Sequence, residues 1–306
     1  MIVASDYELV TERAGLVDRS ARGKLLLTGG EAAEFLQGQL TNDIEALEPG
    51  EGCYAAFLTH KGKMRGDLRV LRGEDWIWID TEPAVLAPLS RTVQMYSIGR
   101  DVHHTDVSGE RAILSLVGPA ARVGLEVEPP PREHAMVAGR HGLYVATDLG
   151  VDVICHAEDA AAVRGALGTE EASEAAAECR RIESGRPRYG LDVDADTIPQ
   201  EAGLNERAVS FTKGCYVGQE TVARLHYKGR PNRHLRGLRL AEPAANGDPV
   251  HLGERTVGNI GSACVSPRHG PIALALLRRE AAPGETVSVG AGAAPAEVVE
   301  LPFADG

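Results

Sequence analysis

Lys213-Gly214-Cys215-Tyr216-Val217-Gly218-Gln219-Glu220 sets one cysteine between two glycines, beside a lysine and just ahead of a stretch with helical character. A thiol reacts as its thiolate, and a neighbouring cation or a helix N-terminus favours that form. Glycines 214 and 218 let the backbone turn tightly or approach a ligand closely. Three roles stand open for Cys215: a nucleophile, a transient sulfur or cluster ligand, or a small residue packed in a glycine turn. No histidine adjoins it in sequence; His226 is the nearest candidate base.

Around this stretch lie 306 residues, enough for two or three hydrophobic cores. Aromatic residues are only 4%, so those cores must rest on Leu, Val, Ile and Ala. The chain starts without a basic, apolar leader, and no apolar run approaches a membrane span, so a soluble cytoplasmic protein is expected. Five scattered cysteines without a Cys-x-x-Cys pair argue against a disulfide framework and against a resident zinc or iron–sulfur site. A net charge of −12 makes direct nucleic-acid binding by the general surface unfavourable. One local exception is basic: Arg224, Lys228, Arg230, Arg233, Arg236 and Arg239, with His226 and His234 among them and no acid. It reads either as a focused anion site or as a solvated basic face.

Apolar patterning predicts strands at 24–28, 54–59, 67–71, 76–80, 111–117, 143–147 and 151–155, and helices at 31–40, 82–98, 157–167 and 172–182. His60-Lys61-Gly62-Lys63 reads as a hairpin loop, and Pro129-Pro130-Pro131 as a linker or domain crossing. Beyond Arg233, short apolar runs alternate with Gly and Pro, the texture of a small β-barrel. A phosphate loop, a His-Glu-x-x-His pair and a Gly-x-Ser-x-Gly elbow are all missing. Asp192, Asp194 and Asp196 imitate a calcium loop, but Thr197 and Gly203 stand where it needs Gly and Glu.

Further stretches carry a resemblance: Leu36-Gln37-Gly38-Gln39-Leu40-Thr41-Asn42-Asp43, Arg181-Ile182-Glu183-Ser184-Gly185 with Tyr189-Gly190, and Pro199-Gln200-Glu201-Ala202-Gly203-Leu204. With Lys213–Glu220 they make the chain resemble the YgfZ family of folate-binding proteins, relatives of the aminomethyltransferase (T-protein) of the glycine cleavage system. The resemblance runs from about residue 10 to about 240. It implies an α+β fold: a three-domain ring, or cloverleaf, with two interleaved α+β domains and a small C-terminal β-barrel. The expected division is 1–50 with 131–232, then 51–130, then 233–306. It also implies tetrahydrofolate, or a one-carbon derivative, as ligand, and a role in assembling or repairing iron–sulfur client enzymes, tRNA-modifying ones included.

The resemblance assigns residues as well. Asp67 matches the acid that contacts the reactive folate nitrogen, where a carboxylate can accept a proton. Glu183 matches the glutamate whose carboxylate takes the paired donors of a pterin. Tyr54 matches an aromatic of the pocket, and Arg224, with Arg230 and Arg233 more loosely, would hold the folate tail. Gln219 stands where the transferases carry an arginine, which counts against ordinary aminomethyl transfer. Two rivals remain: a folate-dependent aminomethyl- or methyltransferase using Asp67, and a non-catalytic adaptor docking a partner or tRNA through the basic stretch at 224–239.

Overall fold

The computed structural model describes residues 4–304. The chain opens with helix α1 (Ala4–Glu12) and strand β1 (Gly15–Asp18), then β2 (Gly23–Thr28), α2 (Ala32–Gln39), β3 (Gly52–Leu58), β4 (Met64–Arg72), β5 (Trp76–Thr81), α3 (Pro83–Tyr96) and β6 (His103–Asp106). It continues through β7 (Arg111–Val117), β8 (Met136–Gly139), β9 (Gly142–Thr147), β10 (Gly150–His156), α4 (Ala160–Leu167), α5 (Glu174–Glu183), α6 (Asn205–Ala208) and α7 (Gln219–Lys228). Six strands end it: β11 (Arg233–Leu240), β12 (Pro249–Leu252), β13 (Arg255–Ser266), β14 (Gly270–Arg278), β15 (Thr286–Val289) and β16 (Ala294–Val299).

These strands form two five-stranded sheets, ordered β3-β4-β5-β2-β6 and β1-β7-β10-β9-β8, and a closed barrel β11-β14-β13-β12-β15-β16. The mixed α+β architecture with its C-terminal barrel is the one expected. The division at 51 and 130 is not how the strands assort. Strand β2 lies between β5 and β6, and β7 lies between β1 and β10. The first sheet with its helices α2 and α3 therefore occupies about residues 22–108 as one insertion between β1 and β7. The pairing that decides this, Gly15 to Val117 through Asp18 to Leu114, spans about a hundred residues and leaves no local trace in the sequence.

The entry and exit of that insertion are clasped by one side chain. Lys24 is fully buried, and its Nζ donates to the carbonyls of Ser20 (2.6 Å), Arg22 (3.0 Å) and Ser108 (3.0 Å). Burial lowers the pKa of this ammonium, and the three carbonyls replace the water it has lost.

The sheets meet through Leu71, Trp78, Val107, Ile113, Met136, Val145 and Ile154, an apolar seam. Beside it runs an ion network. Arg69 on β4 donates to Asp80 on β5 (2.7 Å) and to Asp152 on β10 (2.6 Å). Trp78 and Arg22 also donate to Asp80, and Ser115 donates to Asp152. Arg69 and Arg22 together hold the Asp80 carboxyl well below the usual range despite its burial. The barrel has its own core around Leu238, Ile260, Ala273 and Val298, and Phe303 closes a second cluster against α5 residue Ile182. No helix among the described residues is long and apolar enough to cross a membrane.

Candidate active site

A cavity of about 400 Å³ opens where the edge of the first sheet, the turn after β1, helix α5 and the segment following it converge. Asp67 lies in it on β4, paired across the sheet with Ala56 of β3; Tyr54 on β3 lines it as well. Asp67 is 5% exposed. Burial raises its pKa, and the nearby Tyr54 hydroxyl and Arg22 only partly offset this. Its Oδ2 has no hydrogen-bond partner among the described residues. An acceptor left bare in a buried cavity is costly unless something fills it.

The rest of the wall is charged on both signs. Arg19, Arg22, Arg181, Arg186, Arg188 and Arg207 face Asp18, Asp67, Glu82, Asp148, Glu174 and Glu178. Arg22 and Arg188 both reach Glu82, Arg188 also reaches Glu178, and Arg186 binds Asp148 at 2.7 Å. Arg207 sits over the Tyr54 ring at 4.7 Å and is tied to Glu133. Six cations against six acids leave the wall without excess charge, with donors and acceptors for a ligand that carries both.

Helix α5 explains which of its residues take part. Ser173 caps it, accepting from the Ala176 amide. Glu174, Glu178 and Arg181 follow at spacings of four and three, so they share one face, and all three line the cavity. Glu183 is two residues past Arg181, about 200° around the helix, and points elsewhere. Its Oε1 accepts from Tyr7 (2.7 Å) and Ser266 (2.6 Å), and its Oε2 from Arg180 (2.8 Å). These bonds outweigh burial and lower its pKa. Glu183 thus joins α1, α5 and the barrel and is not among the residues lining this cavity.

The cysteine stretch is also placed differently. Lys213 does not face Cys215 as an activating cation. Its buried Nζ donates to the carbonyls of Gln37 (2.6 Å), Leu40 (2.8 Å) and Asn42 (2.7 Å), and burial brings its pKa down to about 8. Tyr216 packs in a core with Ala56, Leu58, Met64 and Val222. Gly218, the residue before α7, is required as glycine: its φ is 86°, and a Cβ would stand 2.5 Å from the Thr59 carbonyl. Cys215 lies three residues short of it, exposed. Cys215, Gln219 and Arg224 are not among the residues lining the cavity with Asp67. His226 stacks on Phe211 with ring centroids 3.8 Å apart.

The basic stretch divides between two elements. Arg224 and Lys228 are exposed on α7, whereas Arg233 and Arg236 on β11 are paired with Glu201 and Glu300. Sequence reasoning found Tyr54 and Asp67 but missed Arg22, Glu82, Glu178, Arg188 and Arg207. The 174-178-181 charged face of a helix was the signal for three of the wall's residues.

Comparison with known proteins bears on the fold and the family. Residues 1–127 match the family model of the GCVT N-terminal domain, and residues 233–305 that of the glycine cleavage T-protein C-terminal barrel domain. The aminomethyltransferase of Listeria monocytogenes is 30% identical over 297 residues, covering 90% of this chain and 81% of that one. That of Rubrobacter xylanophilus is 28% identical, covering 98% and 86%. The solved structure of the glycine cleavage system aminomethyltransferase T from Bartonella henselae has the same fold, with a TM-score of 0.87 at 22% identity over 98% of this chain and 89% of that one. The chain belongs to the aminomethyltransferase (T-protein) family.

Proposed function

We propose that this protein binds tetrahydrofolate in the cavity around Asp67 and transfers an aminomethyl or related one-carbon group there. The observation that carries the reading is the buried, raised-pKa Asp67 with a bare carboxylate oxygen in a charge-balanced pocket. When bound, tetrahydrofolate supplies the amine nitrogens that accept or carry the one-carbon unit. A pterin edge presents donors and the glutamate tail presents carboxylates, which the mixed acids and arginines of the wall complement. Asp67, more basic than an ordinary carboxylate, takes or holds a proton at Oδ2. Tyr54 orients that carboxylate through its hydroxyl, and Arg207 braces the Tyr54 ring. Glu178 on α5, which lines the cavity while bonded by Arg181, is in this reading the acid nearest the pterin donors.

Calorimetric titration with tetrahydrofolate tests the binding. Saturable binding that weakens at least tenfold in Glu178→Ala and persists in Asp67→Asn is expected. Turnover of an aminomethyl donor by Asp67→Asn should fall by about 10²–10⁴. Absence of saturable binding by the folded wild-type chain would sink the reading.

A second reading attaches to Cys215, which is the exposed thiol among the five cysteines and stands clear of the cavity wall. In it the chain is a YgfZ-type cytoplasmic protein that supports iron–sulfur client enzymes through that thiol, with folate as the coupled ligand. Cys215→Ala then abolishes support of client-enzyme activity in cells while leaving tetrahydrofolate affinity unchanged. Full support by Cys215→Ala removes the cysteine from the mechanism.

A further inference from the structure

On the far face of α5, away from the folate cavity, two cysteines meet. Cys179 on the helix and Cys264 on barrel strand β13 are 85 residues apart in sequence, with their sulfurs 3.5 Å apart. Cys264 is partly exposed and lines an open cavity of about 900 Å³ between α5 and the barrel. Cys179 lies behind it, fully buried, with its sulfur 3.5 Å from Oε1 of Glu183. The three groups make a line from solvent inward: thiol, thiol, carboxylate.

We propose that Cys179 and Cys264 are a site of reversible oxidation by hydroperoxides, closing to a disulfide that staples α5 to the barrel. The position of each sulfur assigns its part. The Cys264 sulfur, reached through the cavity, attacks a peroxide oxygen. The O–O bond breaks, the leaving oxygen departs as water (or as an alcohol) with the thiol proton, and Cys264 becomes a sulfenic acid. The Cys179 sulfur then attacks the Cys264 sulfur. The S–O bond breaks, hydroxide leaves, and the Cys179 proton joins it as the second water. Two thiols are oxidised by two electrons, and one peroxide is reduced by two. The sulfurs must close from 3.5 Å to a bond of about 2 Å, which requires the two side chains to rotate toward each other. The hydrogen bond with Cys264 and burial both raise the pKa of the Cys179 thiol, so it is not the sulfur that meets peroxide first. Cys53 and Cys155 have no sulfur partner, and Cys215 stands alone on the surface, so the pair is distinguished by geometry and not by exposure.

The site is independent of what the folate cavity does, and its test needs no folate. The folded chain is treated with hydrogen peroxide, quenched with catalase, denatured in iodoacetamide and digested without reductant. A peptide pair joined through Cys179 and Cys264, two hydrogens lighter than its parts, is expected. Dithiothreitol should return it to two alkylated peptides. Cys179→Ser should instead accumulate a Cys264 sulfenic acid that dimedone traps. Recovery of both thiols alkylated under peroxide that oxidises Cys215, or a linkage that runs through Cys215 in their place, overturns the proposal. The wild-type map decides the question even if Cys179→Ser fails to fold.

Discussion

His134 is held in a conformation and an environment that few histidines accept. Its φ is 66°, it is 6% exposed, and neither ring nitrogen makes a well-formed hydrogen bond among the described residues, Nε2 lying 3.4 Å from Oε1 of Glu133. Burial lowers its pKa to about 4, with Arg69 and Arg207 adding to the effect and Glu133 opposing it. The folded state therefore keeps His134 neutral where the unfolded chain, titrating near 6.5, takes up a proton. Stability is complete above that value and falls as the pH drops from about 6.5 toward 4, by up to about 3 kcal/mol. Asparagine tolerates the left-handed backbone and does not titrate. In His134→Asn the loss of melting temperature between pH 7 and pH 4.5 should be clearly shallower than in the wild type; parallel curves would remove His134 from acid unfolding. At this scale legibility was uneven. Asp67 stood out because its motif is local, but the role of Lys213 depends on carbonyls 171 to 176 residues away, which no reading of its neighbours reveals. Distance in sequence likewise hid two partners of Glu183: Tyr7, 176 residues away, and Ser266, 83 away.

Among the elements, β4 and β10 are joined by charge as well as by apolar contact. Arg69 is buried and serves Asp80 and Asp152, which come from different sheets. Removing Arg69 leaves the buried Asp152 with a hydroxyl partner but no counter-charge, and Asp80 with Arg22 and Trp78 alone. Arg69→Met should cost about 3–5 kcal/mol in urea unfolding, far more than loss of the exposed Arg13–Glu170 pair, which is worth at most about 1 kcal/mol. A cost for Arg69→Met comparable to that of Arg13→Met would mean that the apolar seam alone holds the sheets together. Most strands and helices were legible because their apolar spacing is regular. Strand β1, four residues long, and α1, whose apolar residues make no strong stripe, were not. A strand this short acquires its identity from the neighbour it joins, and β1 joins one a hundred residues on.

At the scale of the molecule, two sheets and a barrel share one chain, and α5 touches two of the boundaries between them. One of its faces closes the Asp67 cavity, and the other, through Glu183, Cys179 and Ile182, grips the barrel. The barrel was legible from its turn spacing, and the cavity was much less so because its wall comes from seven separate stretches, at 18–22, 54, 67, 82–83, 148–149, 174–189 and 207. The insertion at 22–108 also bears on synthesis. Its strands all emerge from the ribosome before the partner of β1 has been made, and Lys24 needs nothing beyond Ser108 to complete its three bonds. Birth order and topology then coincide. The inserted sheet can form while the chain is still growing, whereas β1 must wait through the closure of a long loop. In a chain stopped after Glu110, amides of β2 to β5 should resist hydrogen exchange while those of β1 exchange freely. Uniform exchange would show that the first-made sheet needs the later one as its mould.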